Sequence, residues 1–429
     1  MSLTRALNHP VDGASLAMFR VAFGVLMCAS ALRFLFYDWV TQFYVTPTFN
    51  FSWLPGLRPL PGWGMYGVFW ALAGLAVLIA VGLYTRLAAA AFFCLFTYVQ
   101  LLEKANYLNH YYLIVLVSAL MIWLPTERAF SLDARWRNTG GQVPAGTVWA
   151  VRGQLTVVYF FAGLAKVQSD WLFEAQPLRI WLAGHQDFPI LGPLMTEPVT
   201  AYVFSWAGMI FDLTIPFWLM WRRSRPFAYL VVLAFHLMTW GLFQIGLFPW
   251  MMMAFTPIFF GYSWPRRWCG GQPSTRAPQP IRPLATWALV LYGMAQVIMP
   301  LRHHLYPGNH LWTEEGFRLS WHVMVMEKSG AIDFWAEREG KRSQIDLREH
   351  LTPVQIRMMS TQPDMILDFA HHLAEQLPPG TRLTVDGYVS LNGRRSQRLL
   401  DPEVDIAPIE DVTKLRPWLQ PLEDDRVSR

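Results

Sequence analysis

The sequence predicts an α-helical multi-pass membrane protein of about nine transmembrane helices, followed by a small C-terminal α+β extramembrane domain. Three observations predict it. Hydrophobic residues make up 53% of the 429 and charged residues only 15%, a balance suited to a chain whose solvent is largely lipid. The apolar residues fall in successive runs, most of them close to the roughly 20 residues that cross a bilayer. After Arg302 those runs stop and charges become frequent. The 21 tryptophans suit aromatic belts at the two interfaces.

In chain order, spans are expected near Ser15–Tyr37, Gly62–Tyr84, Leu87–Leu102, Asn109–Leu124, Val148–Lys166, Ala201–Trp221, Phe227–Gly246, Phe248–Tyr262 and Pro283–Leu301. The third and eighth runs are short, and the seventh and eighth also fit a broken or re-entrant pair around Pro249. The N-terminal MSLTRALNHPVDG lacks the apolar core of a cleavable signal peptide, so the first span is expected to act as its own signal. Arginines crowd the loops after even-numbered spans: Arg86; Arg128, Arg135 and Arg137; Arg222, Arg223 and Arg225; Arg266, Arg267, Arg276 and Arg282. The alternate loops are poorer. The positive-inside rule then sets the N-terminus in the cytoplasm and the C-terminal domain on the other side of the membrane. The net charge of +5 therefore reflects topology, and no nucleic-acid partner is expected.

The chain is expected to divide into a membrane domain, residues 1–301, and an extracytoplasmic domain, residues 302–429. Ile332–Glu339 alternates like a strand, and Pro363–Leu377 has helical periodicity with Met365, Ile366, Phe369, Leu373 and Leu377 on one stripe. Asn392-Gly393 between Arg382–Leu391 and Arg395–Leu400 signals a hairpin. Pro273–Pro283 reads as a loop, and the tail beyond Asp411 as a segment laid over the surface.

No phosphate loop, HExxH, CxxC or GxSxG is present, and Cys28, Cys94 and Cys269 have no metal-ligand spacing. No metal is expected. What remains are polar groups at membrane depth, which are costly unless they face protein or a wet cavity. Lys166 ends the fifth span. Such a lysine is either an interfacial anchor whose stem snorkels to the headgroups or, if desolvation strips its proton, a general base. Asn109 and His110 open the fourth span on the same side, and the fourth and fifth spans are expected to pack as antiparallel neighbours that bring all three to one depth. Arg20 is read as an ion-pair partner of Asp212, and Arg152 as structural or bound to headgroups. His236 reads as a satisfied core histidine, and His371–His372 as a solvated face. His303 and His304 look like a membrane-exit pair without a role.

The chain resembles the vitamin K-dependent γ-glutamyl carboxylases. The likeness runs from PVDGASLAMFR at Pro10–Arg20 through LRPLPGWGMY, NHYYL at Asn109–Leu113, VRGQLTVVYFFAGLAKVQSDW at Val151–Trp171, FDL at Phe211–Leu213, FHLM, LFQIGLF and SWHVMVM at Ser320–Met326 to LLDPEVDI at Leu399–Ile406. The resemblance implies that vitamin K hydroquinone, of phylloquinone or menaquinone type, is deprotonated by a lysine and oxygenated by O2. The alkoxide that results takes the γ-proton of a peptide glutamate, the carbanion captures CO2, and the quinone leaves as its epoxide. It maps the base onto Lys166, preceded by Ala165 where animal members have a second lysine. The supporting asparagine and histidine map onto Asn109 and His110, and the glutamate-side motif onto Phe317, Trp321 and Met326.

Three departures mark the match. Met326 stands where animal members have histidine, and Phe317 where they have tyrosine. The cysteine pair joining their membrane and outer parts is missing. The chain ends soon after DPEVDI, which implies a short bacterial-type member with its outer domain in a periplasm. The leading expectation is hydroquinone epoxidation coupled to glutamate carboxylation, with the lipid bilayer, a quinone and a glutamate-containing peptide as partners. Two alternatives stand beside it: quinone epoxidation without carboxylation, and a non-catalytic lipid- or partner-binding scaffold.

Overall fold

Backbone polar groups in hydrocarbon find no water, so apolar runs must satisfy them internally as helices. A computed structural model describes residues 3–137, 140–271, 278–409 and 418–423. The apolar runs form α1 (Ala14–Phe36), α2 (Trp63–Val81), α3 (Thr85–Leu101), α4 (Asn109–Trp123), α5 (Ala145–Leu164), α6 (Pro198–Met220), α7 (Arg225–Leu242), α8 (Phe248–Phe255) and α9 (Pro283–Leu301). Among the described residues five helices are long and apolar enough to cross a membrane: α1, α2, α6, α7, and α9 with the turn that follows it. Five of the nine expected spans thus meet that measure of length and composition. Helices α3, α4 and α8 are apolar but shorter, while α5 has 20 residues and carries Arg152 and Gln154 among its buried side chains. The seventh and eighth runs are separated just ahead of Pro249. Helix α7 gives way to extended backbone at Phe243, and α8 restarts with Pro249 in its first turn, where a missing N–H is tolerated.

Helix α1 packs on α2, α3 on α4, and α5 on α6. The α1–α2 contact is close because Gly24 has no side chain: a Cβ there would lie 2.5 Å from the Ala80 nitrogen. Arg20 does not reach Asp212. Its guanidinium donates to the carbonyls of Ala80 at 2.7 Å, Phe130 at 2.6 Å, Thr126 at 3.2 Å and Ile79. Two of these close the C-terminal turn of α2, where a cation meets the negative end of the helix dipole. The many N–H groups of arginine suit a site built of carbonyls better than a single carboxylate would. Arg152 likewise serves protein rather than headgroups, donating to the carbonyls of Ile258 and Phe260, both at 2.9 Å.

The C-terminal part forms a four-stranded antiparallel sheet from β1 (Lys328–Arg338), β2 (Lys341–Ile345), β3 (Arg382–Leu391) and β4 (Gln397–Arg398), in the order β2-β1-β3-β4. Helices α10 (Pro353–Met359) and α11 (Pro363–Gln376) belong to the same core, in which Phe334 of β1 meets Phe369 of α11 edge-on at 5.2 Å. Of the expected stripe, Met365, Ile366, Phe369 and Leu373 are buried, while Leu377, just past the helix end, is half-buried. At the hairpin Asn392 and Gly393 have φ of 51° and 78°, the paired positive values that a two-residue turn demands. The expected surface tail is corrected in part. Trp418 is buried, Leu419 bridges to Leu400, and Trp312 Nε1 donates to the Gln420 carbonyl at 2.9 Å. The remainder of that tail, residues 411–417 and 424–429, lies outside the described residues, as do residues 273–277 of the expected loop.

Polar pairs join the C-terminal part to segments at the ends of the membrane helices. Asp170, just after α5, receives Arg394 on both oxygens at 2.7 and 3.0 Å, and Asn392 Nδ2 at 2.8 Å. Lys104 pairs with Asp368, and Gln355 Nε2 donates to Glu103 at 2.8 Å. Burial pushes the Glu103 carboxyl above the usual carboxylate range, against the hydrogen bonds it accepts from Ala105, Gln355, Asn50 and Phe51. Removing one member of a buried ion pair costs roughly 3–5 kcal/mol because the other charge stays behind. Asp170→Asn should therefore lower thermal stability in detergent clearly more than Asp386→Asn on the exposed Arg398 pair. Equal melting temperatures would show that Asp170 does not hold the sheet in place.

Candidate functional site

The site starts from one glycine. A Cβ at Gly163 would lie 2.6 Å from the Leu213 nitrogen, so glycine lets α5 and α6 touch at the level of Asp212. Helix α5 ends one residue later, at Leu164, and Lys166 turns back toward that contact. Its Nζ donates to Asp212 Oδ2 at 2.9 Å, to the Ala162 carbonyl at 3.0 Å and to the Val323 carbonyl at 3.3 Å. Three N–H groups thus meet three acceptors, which suits an ammonium. The side chain is no solvated anchor: Lys166 is 5% exposed and Asp212 7%. Nor is it the solitary amine the sequence implies, because a carboxylate shares its site. Trp171 stands 5.3 Å from Nζ and fixes its own ring by donating to the Ser205 carbonyl.

The pair forms part of the wall of an apolar cavity of about 250 Å³ between α5, α6, α7 and the start of α8. Phe235, Leu242 and Phe248 supply much of the apolar lining, and Val203, exposed on the outer face of α6, brings the cavity to the lipid side. Besides Lys166 and Asp212, Tyr159 and His236 bring polar groups to it. The Tyr159 hydroxyl bonds His236 Nε2 at 3.1 Å and Thr256 Oγ1 at 3.4 Å, and His236 Nδ1 is buried without a partner. The expectation of a satisfied core histidine is therefore corrected. Asp212 and His236 are the residues that sequence reasoning missed here. The available signal was an acid and an imidazole inside apolar runs, but nothing in one dimension said that the acid pairs with Lys166 and the imidazole lines the same cavity.

Asn109 and His110 arrive differently from expectation. Helix α4 packs mainly on α3, and α5 on α6, rather than α4 on α5. The link between Asn109 and Lys166 is the segment after α9. Asn109 Nδ2 donates to the His322 carbonyl at 3.0 Å, while Lys166 takes the next carbonyl, that of Val323. Tyr107 donates to Asn109 Oδ1 at 3.1 Å, which orients the amide. His110 is buried beside Tyr111 and does not line the cavity. Phe248 stands between it and His236, with its ring 6.1 Å from each.

Trp321, Phe317 and Met326 flank that segment. Trp321 is fully buried with φ of 58°, packs on Tyr112 at 4.9 Å, and its Nε1 has no partner. Phe317 stacks on His322 at 4.9 Å, and Met326 packs against the C-terminal core. The residues that enter the cavity from this segment are Val323 and Met324. Below it, the buried Lys328 ammonium bonds Glu314 at 3.0 Å and the carbonyls of Trp312 and Thr361. Burial pushes Lys328 below the usual lysine range, and Glu314 opposes that shift.

Residues 8–264 match the family model of the HTTM domain, and residues 281–425 match that of the vitamin K-dependent gamma-carboxylase, lumenal domain. The first match alone spans more than half of the chain. The chain belongs to this carboxylase-like family and is an integral membrane protein. The second match begins ahead of α9, whereas the sequence reading divides the chain after it. No solved structure matches the chain.

The pairing of Lys166 with Asp212 has a measurable consequence. Asp212→Asn keeps the size of the side chain but leaves the ammonium without its counter-charge, at a cost of roughly 3–5 kcal/mol. Lys166→Met with Asp212→Leu removes both charges and should be more stable than Asp212→Asn alone. Thermal unfolding in detergent decides; the reverse order of stability would mean that the two groups do not form an ion pair.

Proposed function

We propose that this carboxylase-family protein oxygenates vitamin K hydroquinone and couples the reaction to carboxylation of glutamate in a peptide. The observation that carries the reading is a buried lysine–carboxylate pair on the wall of an apolar, lipid-facing cavity. A cavity of about 250 Å³ is smaller than the roughly 300–1,000 Å³ of drug-sized ligand sites. It suits the ring system of a quinone, with an isoprenoid tail leaving past Val203 into lipid.

Lys166 is assigned as the base. To act as base, the ion pair first passes a proton from Nζ to Asp212, which frees a lone pair on Nζ and leaves both groups neutral. The hydroquinone hydroxyl proton then moves to Nζ, and the resulting ammonium stands beside the new anion on the ring oxygen. Tyr159 and His236 offer hydrogen bonds to the oxygens of the ring. Asn109 holds the His322 carbonyl, and His110 backs Phe248, so both act in this reading as supports of the cavity. The glutamate side belongs to the segment bearing Phe317, Trp321 and Met326, whose Val323 and Met324 enter the cavity. Water is kept from the base by apolar walls. The N-terminus is assigned to the cytoplasm, and the domain of residues 302–429 to the opposite side, following the arginine-rich loops.

The protein in detergent, given reduced vitamin K and oxygen, should form epoxide, and with a glutamate peptide should incorporate label from bicarbonate. Epoxide without label would reduce the function to quinone epoxidation, and absence of both would leave a binding scaffold. Loss of a general base costs about 10²–10⁴-fold in rate. Lys166→Ala should lose at least ~100-fold of epoxide formation and regain part of it with a small exogenous amine. Undiminished turnover in that variant would reject Lys166 as the base.

A further inference from the structure

Three imidazoles converge where the C-terminal part meets the membrane helices. His303 lies in the turn Arg302–Leu305 after α9, His310 opens the short helix His310–Thr313, and His322 lies in the segment that bonds Asn109 and Lys166. Their ring centroids are 4.4 Å apart for His303 and His310, and 5.0 Å apart for each of these with His322. One donor nitrogen from each lies within 4.8 Å of the other two. Nitrogens bound tetrahedrally to zinc at about 2.0–2.1 Å sit roughly 3.3 Å apart, so small ring rotations close the gap.

The second nitrogens point to the same arrangement. A metal-binding histidine commonly donates its other N–H to a carbonyl, which fixes tautomer and ring orientation. His303 Nδ1 is 2.8 Å from the Pro300 carbonyl, so it carries the proton and leaves the Nε2 lone pair free. The His322 ring has a backbone hydrogen bond to Phe317 and is held by stacking on the Phe317 ring at 4.9 Å. Its Nδ1 is buried without a partner, and the residue is 3% exposed. Leaving a buried polar atom unsatisfied is costly, and a cation would satisfy it.

We infer that His303, His310 and His322 form a site for a divalent transition-metal ion, with zinc as the best-suited metal. Imidazole nitrogens suit zinc among such ions, and three of them leave a fourth position for water or another ligand. The ion ties the end of α9, the short helix and the 320–326 segment to one point. It thereby fixes the carbonyls of His322 and Val323 on which Asn109 and Lys166 rest. Its role is positional, and it stands independently of the proposed quinone chemistry.

The test uses the full chain in detergent, purified through a tag free of histidine, stripped with EDTA and titrated with Zn²⁺ or Co²⁺. One ion should bind per chain, raise the melting temperature, and with Co²⁺ give the visible absorption of a tetrahedral nitrogen site. His303→Gln with His322→Gln should abolish all three effects, and His371→Gln with His372→Gln should retain them. Should the first double variant fold poorly, the partly exposed His310→Gln alone should weaken Zn²⁺ binding by at least ~10-fold while keeping a cooperative transition. No bound ion, or equal binding in the His303/His322 variant and the parent, would overturn the site.

Discussion

A lysine and a carboxylate face each other at 2.9 Å inside an apolar helix bundle, and much of the molecule is arranged around them. Taking each charge out of water costs several kcal/mol, and mutual attraction roughly offsets that cost rather than exceeding it. The pair is therefore weak as a source of stability. Two helices must touch to bring them together, and Gly163 supplies the contact by having no side chain to hold α6 away.

The 317–326 segment is the second organising part. It is irregular, with positive φ at Leu319, Trp321 and Met324, and it offers carbonyls as well as side chains to the membrane helices. Two consecutive carbonyls go to Asn109 and Lys166. Such backbone is tolerated near the membrane only where it is buried in protein. Its side chains face two ways. Val323 and Met324 enter the cavity, while Trp321 is anchored on Tyr112. The buried pair of Asp170 with Arg394 fixes the hairpin of the sheet beside the same region, so the sheet and the cavity share one frame.

Local chemistry and long-range placement divide cleanly at the charged residues. Arg20, Arg152 and Lys166 all end up among backbone carbonyls, and only Lys166 of the three also meets an acid among the described residues. Sequence logic pairs opposite charges and so joins Arg20 to Asp212. Burial follows a different rule: an arginine with several donors is satisfied by the free carbonyls at a helix end. That leaves Asp212 for the lysine.

Hydrophobic runs, their lengths and the change of composition after Arg302 were enough to determine a helical membrane part and a C-terminal part with strands. Period-2 and period-3.6 patterns located β1 and α11, and Asn392-Gly393 located the hairpin, because these signals are local. Lys166, Asn109 and His110 were singled out as polar residues at the ends of apolar runs and by family resemblance. The tertiary structure alone decided that Asp212 partners Lys166, that His236 faces the cavity, and that three histidines separated by up to 19 positions converge. It also decided that Asn109 and Lys166 are joined through the 320–326 segment and not by contact of α4 with α5. Each of these depends on which helix faces touch, and that is settled by close packing of glycines and large side chains across the bundle, a constraint no single stretch of sequence contains.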